Sequence, residues 1–201
     1  MKYQEFLEKN RFDLQELIAF SYGRLIDDPP EDFDARLPAP PFLMMDRILS
    51  IEKSGGRGKI IAEQDIRLDA WYFQCHFPGD PVQPGCLCVD AVWQLMGFFG
   101  VWSGALGAGR ALGCGKVEFS GQIRPHNRVV RFEIDGVRFR TLKQAGAAIV
   151  IANADVFIDG EMITTVRNAR TGIFKGITTY KNYPLPGENC RGGIHQKENP
   201  L

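Results

Sequence analysis

His76 and Asp90 lie fourteen positions apart, separated by a Pro/Gly-rich turn and the start of a strongly apolar run. From Pro81 to Gly109, Asp90 is the only charged side chain. Its neighbours include Cys88, Val89, Val92 and Trp93. Desolvation in such surroundings disfavours a charged carboxylate, and a carboxyl kept neutral can donate a proton. An imidazole titrates near neutral pH and can accept one. The segment therefore offers an acid and a base on opposite sides of a turn.

Loss of water from a 3-hydroxyacyl thioester needs this pair. A base takes the proton next to the carbonyl, an acid protonates the departing hydroxyl, and donors hold the thioester oxygen as charge develops on it. His76 suits the base and Asp90 the acid. Gly85 follows Pro84 at the point where the apolar helix should begin. Its backbone N–H would stand at the positive end of the helix dipole, ready to stabilise an oxyanion. Gln94 is four residues after Asp90, one helical turn along the same face, where it can orient the carboxyl. Val82 and Cys86, beside these groups, are expected to contact substrate, with Val82 and Phe98 as apolar walls.

These residues need a frame. Residues 1–25 carry a helical pattern through Phe12, Leu14, Leu17, Ile18 and Phe20, and a polar, Pro-rich linker runs from Asp27 to Pro41. Strands are expected over 43–51 and 59–66, joined by S-G-G-R-G. A loop holds His76, and an apolar helix covers 86–106. Four strands follow, at about 112–123, 127–139, 146–158 and 161–174, with Asp159-Gly160 as the tight turn between the last two. The helix is long enough to span a bilayer. Asp90 and Gln94 within it, and the alternating strands around it, favour a buried core helix instead. The glycines of G-A-L-G-A-G-R-A-L-G-C-G-K (104–116) fail the phosphate-loop pattern, because Arg110 and Val117 stand at the wrong places.

The chain has 201 residues, 44% of them hydrophobic, with 24 basic and 24 acidic side chains. That balance gives no sign of nucleic-acid binding. From Arg110 to Lys143, however, eight Lys and Arg face three acidic residues. This excess reads either as solvated strand faces or as a docking patch for an acidic partner. Five cysteines and an N-terminus without an apolar signal core lead us to expect reduced thiols in a cytoplasmic protein. Cys75, His76, Cys86 and Cys88 lack metal-ligand spacing, so no metal is expected.

The segments C-H-F-P-G-D-P-V-Q-P-G-C-L, D-A-V-W-Q-L-M-G-F-F and P-F-L-M-M-D-R resemble the 3-hydroxydecanoyl-[acyl-carrier-protein] dehydratase/isomerase family of bacterial fatty acid synthesis, over roughly residues 38–175. The resemblance implies an α+β hot-dog fold, in which an antiparallel sheet wraps a long central helix. One domain over 1–175, with an N-terminal helical extension, would precede a polar tail over 176–201. The resemblance also implies a homodimer with composite sites, each taking His76 from one chain and Asp90 from the other. It implies acyl carrier protein as partner, and no cofactor. Related dehydratases that do not isomerise carry Glu where this chain has Asp90, which favours the bifunctional branch. Pro78 and Cys88 depart from that branch's pattern. Open alternatives are a dehydratase without isomerase activity, a non-catalytic acyl-binding protein and a hydrolytic thioesterase, since one fold hosts several chemistries.

Overall fold

The computed structural model describes residues 1–54, 57–142 and 146–177. Two short helices, α1 (Tyr3–Glu8) and α2 (Leu14–Ser21), lead into strands β1 (Arg47–Ser54) and β2 (Arg57–Asp65). A short helix α3 (Trp71–Cys75) and the long helix α4 (Gly85–Trp102) follow. The described chain then forms β3 (Ala108–Gly113), β4 (Lys116–Phe119), β5 (Val129–Leu142), β6 (Ala147–Ile158) and β7 (Glu161–Phe174). All pairings are antiparallel, in the order β1-β2-β5-β6-β7-β3, with β4 also on β7. The sheet packs on α4 through β7, β6, β3 and β5. This is the α+β hot-dog architecture.

α4 is buried because it is apolar nearly all round. By length and composition it could cross a membrane, but 67% of it is buried inside the protein. Close approach to the sheet needs a residue without a side chain. A Cβ at Gly100 would lie 2.2 Å from Ile173 Cδ1 and 2.9 Å from Val150 Cγ2. Glycine there lets the helix rest directly on β6 and β7.

The N-terminal segment docks on the same helix. The helical pattern over 1–25 divides into two helices because Asp13 starts a new one. Its side chain accepts the Glu16 N–H at 2.9 Å, while Glu16 accepts the Asp13 N–H at 3.1 Å. Just before this cap, Phe12 bridges to Ile48 of β1 through bonds of 3.0 and 2.9 Å. Phe6, Phe12 and Phe20 then surround Phe98 of α4, with ring centroids 5.7, 4.9 and 5.1 Å away.

Several element bounds differ from the sequence reading. Residues 43–46 do not open β1; they form a strap whose backbone bonds a side chain of α4. The strand expected over 112–123 is two strands, β3 and β4, on successive stretches of β7. Gly113, at φ 131, breaks the strand between them. α4 stops at Trp102 rather than 106, short of Gly104 at φ 102. Helix α3, in what was read as loop, was not expected. Asp159 and Gly160 turn as expected, at φ 50 and 93. The Asp159 carboxylate also accepts from the N–H groups of Arg128 and Val129. Residues 178–201 of the expected tail, Gly55 and Gly56 of the β1–β2 connection and Lys143 of the basic stretch lie outside the described residues.

Two consequences can be measured. Phe98→Ala should destabilise the protein by about 3–5 kcal/mol, the usual loss for a buried Phe, visible as a lower midpoint in denaturant unfolding. The second concerns Arg47, which holds Asp65 through two bonds of 2.9 and 2.8 Å and keeps its carboxyl below the usual range. The pair thus stabilises above the ordinary carboxylate pKa and is lost as pH falls through the lowered value. Asp65→Asn should lower Tm at pH 7, with the gap to wild type closing only as the pH is taken below the ordinary carboxylate range.

Candidate active site

Two loops and the start of α4 hold His76. α3 ends on it, with the His76 N–H bonded to Tyr72 O at 2.9 Å. Phe77 and Asp80 exchange both backbone bonds at 2.9 Å, and the Val82 N–H returns to His76 O at 2.8 Å. The turn is pinned from outside by Arg124, whose Nη1 donates to the Asp80 carboxylate. The imidazole stacks on Phe77 with centroids 4.0 Å apart. Its Nδ1 lies 2.9 Å from Val82 O. A carbonyl can only accept, so Nδ1 carries the hydrogen of the neutral ring. Nε2 is left with its lone pair, which is the arrangement a general base requires.

α4 begins beside this ring. Pro84 caps it without any side-chain bond. Leu87 N–H closes on Pro84 O at 3.0 Å, while the first N–H groups of a helix have no intrahelical acceptor. Those of Gly85 and Cys86 are such groups. A Cβ at Gly85 would meet the ring of Phe119, at 2.7 Å from Cε1. His76, Val82, Gly85 and Cys86 line one cavity of about 610 Å³. Gln83, Cys88, Phe119, Ile163 and Thr164 complete much of its wall. Burial pushes the Cys88 thiol up to about 12, so it stays a neutral wall group.

Asp90 is held separately. Gln94 Nε2 donates to Asp90 Oδ2 at 2.6 Å and to Phe42 O at 2.9 Å. Gln94 Oε1 accepts the Met44 N–H at 3.1 Å. The Met44 donor and the Phe42 acceptor together decide which way the amide points. With Oδ2 so engaged, Oδ1 is free to carry a proton to a leaving group. Asp90 and Gln94 line a second cavity, of about 160 Å³, with Trp93, Phe98, Gly109, Arg110, Ala111 and Thr171 among its walls.

The two cavities share no lining residue. One chain therefore brings His76 together with Val82, Gly85 and Cys86, and Asp90 together with Gln94. It does not bring His76 and Asp90 to one cavity. Phe98 and Val82, both read as apolar walls, line different cavities of the one chain. Phe98 is 1% exposed, packs in the N-terminal aromatic cluster and borders the Asp90 cavity. The expected basic stretch is also partly spent. Lys116 pairs with Glu118, Arg131 with Glu63 and Glu133, and Arg124 with Asp80. Arg110, Arg128, Arg138 and Arg140 are exposed and make no ion pair with another described residue. Sequence reasoning missed the strap carbonyl of Phe42, the Arg124–Asp80 brace and Gln83. Only Gln83 left a signal, as a polar residue between two prolines ahead of an apolar helix.

A family profile described as FabA-like domain matches residues 37–167. Among solved structures, the dehydratase heterocomplex ApeI:P from Xenorhabdus doucetiae is similar at 14% identity, covering 61% of this chain and 95% of that one, with TM-score 0.40. AziG of S. sahachiroi is similar at 11% identity, covering 63% and 90%, with TM-score 0.41. A hypothetical thioesterase with coenzyme A from Streptococcus pneumoniae is similar at 10% identity, covering 63% and 85%, with TM-score 0.41. The family match takes in the strap, the His76 turn, all of α4 and most of the sheet, and so the chain belongs to the FabA-like family of hot-dog dehydratases.

Proposed function

We propose that this protein dehydrates (3R)-3-hydroxyacyl-[acyl-carrier-protein] to the trans-2-enoyl thioester and isomerises the ten-carbon product to the cis-3 form. The observation that carries the reading is the His76 ring, locked by Val82 O with Nε2 free beside the unpaired N–H groups of the α4 start. His76 Nε2 takes the proton from carbon 2. The thioester oxygen gains charge facing the Gly85 and Cys86 N–H groups. Asp90 Oδ1 gives its proton to the hydroxyl at carbon 3, the C–O bond breaks, and water leaves. The sum is redox-neutral and needs only proton transfers, so the mechanism calls on no cofactor.

Base and acid face separate cavities in one chain, and a homodimer resolves this. The Asp90 cavity borders Gly109, Arg110 and Ala111 of β3, an end strand of the sheet. A second copy placed against that edge can bring its His76 cavity to Asp90. Isomerisation draws its support from the single base. His76 returns a proton to carbon 2 and takes one from carbon 4, with no hydroxyl to protonate. Arg128, Arg138 and Arg140 fit an acidic carrier protein, whose approach such charges accelerate.

His76→Ala should cut both reactions by about 10²–10⁴-fold, the usual loss with a general base. Asp90→Asn should cripple dehydration far more than isomerisation of supplied trans-2 thioester. Heterodimers of the two inactive variants should regain activity, because one of their two sites holds both native groups. No recovery in verified heterodimers would place the site within one chain. The reading as a whole is tested with a ten-carbon 3-hydroxyacyl thioester and product analysis. Trans-2 and cis-3 enoyl products are expected. Trans-2 alone would remove the isomerase activity, and free acid would establish a thioesterase.

A further inference from the structure

We infer that Gly97 and Gly109 keep open the end of the acyl channel, and so set the chain length this protein accepts. The inference deepens the dehydratase reading and rests on it for the placing of the thioester. Between Leu87 and Val101, α4 leaves only Asp90, Trp93 and Gly97 short of full burial. Spaced three and four positions apart, they form one stripe along the helix. All three line the Asp90 cavity, where Phe98 and Val101 add apolar wall. Gly97 lies about 10 Å along the axis from Asp90, seven residues at about 1.5 Å each. In the proposed reaction carbon 3 sits at Asp90, so the rest of the chain must run on from there. The seven carbons that follow carbon 3 in a ten-carbon chain have a similar length when extended.

Nothing inside the chain asks for glycine at either place. Glycine in the middle of a helix or strand is destabilising relative to alanine. Two needs ordinarily justify it, a left-handed backbone or a crowded one. Neither Gly97 nor Gly109 has a positive φ. Among the described residues, and beyond its neighbours in the helix, a Cβ at Gly97 would find one heavy atom within 4 Å, Thr171 Cγ2 at 3.8 Å. A Cβ at Gly109 would find only Gly97 Cα, at 3.9 Å. Both are ordinary van der Waals distances, whereas the crowded Gly100 has a neighbour at 2.2 Å. Gly97 of α4 and Gly109 of β3 thus meet in one patch of cavity wall that carries no side chain. A side chain on either would take up room that the fold leaves open. What the two glycines maintain is that room, and an apolar recess leading away from Asp90 suits a hydrocarbon tail.

The test compares thioesters of different length. Turnover is measured with N-acetylcysteamine thioesters of 3-hydroxybutanoic, 3-hydroxyhexanoic, 3-hydroxyoctanoic and 3-hydroxydecanoic acid. Binding is measured with the saturated butanoyl and decanoyl thioesters. Gly97→Leu should lower the ten-carbon to four-carbon ratio, in kcat/KM and in affinity, by about tenfold or more, since a single methylene in an apolar pocket is worth that much. Gly109→Val should lower the same ratio from the β3 side. Gly97→Ala should lower it less and raise Tm, because alanine is the better helix former and its methyl has room. A lower Tm for Gly97→Ala would show that packing demands the glycine, and would overturn the inference. So would an unchanged ratio in the folded variants. So would a changed oligomeric state, which would assign the space to a second copy of the chain. If no thioester is dehydrated, the dehydratase reading fails, while the affinity ratio still decides the chain-length inference.

Discussion

The amide of Gln94 is the joint on which the site hangs. A helix buried on nearly every side cannot hold an unsatisfied polar group cheaply. Gln94 is 7% exposed and meets the demand with three bonds, to Met44 N–H, Phe42 O and Asp90 Oδ2. Because the strap offers one donor and one acceptor, the amide has a single satisfied orientation. That orientation aims an N–H at Asp90. Removing the strap would free the amide, and Asp90 would lose its bearing. Residues 42–46 therefore bear on how Asp90 is held, through Gln94. Asp46 fastens the strap to the sheet, accepting from Asp65 N–H at 2.7 Å and from Arg67 at 2.8 Å.

His76 is held by a different device. His76 sits where helix α3 ends, in a turn stitched by backbone bonds and braced by Arg124. Its ring position depends on Val82 O, and Val82 is only two residues from Pro84, which starts α4. The ring, the free N–H groups at the start of α4 and the helix axis are thus fixed relative to one another by a few residues of chain. Asp90 lies further along the same helix and opens elsewhere. The helix serves both half-sites, one at its end and one on its flank.

The N-terminal segment contributes rigidity at the opposite end. Phe6, Phe12 and Phe20 clamp Phe98, two turns beyond Asp90 on α4. Trp102 adds a bond from its indole to Lys9 O at 2.8 Å. Phe98 also borders the Asp90 cavity, so this cluster sets one wall of it. A segment with no catalytic group fixes both the shape of the cavity and the seating of the helix.

Much of this was legible in the sequence because it is local. The lone Asp90 in an apolar run, Gln94 one turn on, and Gly85 after a proline follow from helix geometry alone. The Asp159-Gly160 turn and the later strands follow from residue type and alternation. The capping box at Asp13 was equally local, but a continuous apolar pattern hid it. What tertiary structure decided is what depends on distant partners. Gln94 finds a strap fifty residues earlier, and Arg124 finds Asp80 forty-four residues back. Gly113 divides a strand only because β7 offers two successive stretches to pair with. His76 and Asp90 look like neighbours in sequence yet face separate cavities, since α4 turns one away from the other. Residue types and short spacings determine which groups can do chemistry. Which of them meet is decided by packing, because burial and hydrogen-bond satisfaction are settled over the whole core at once.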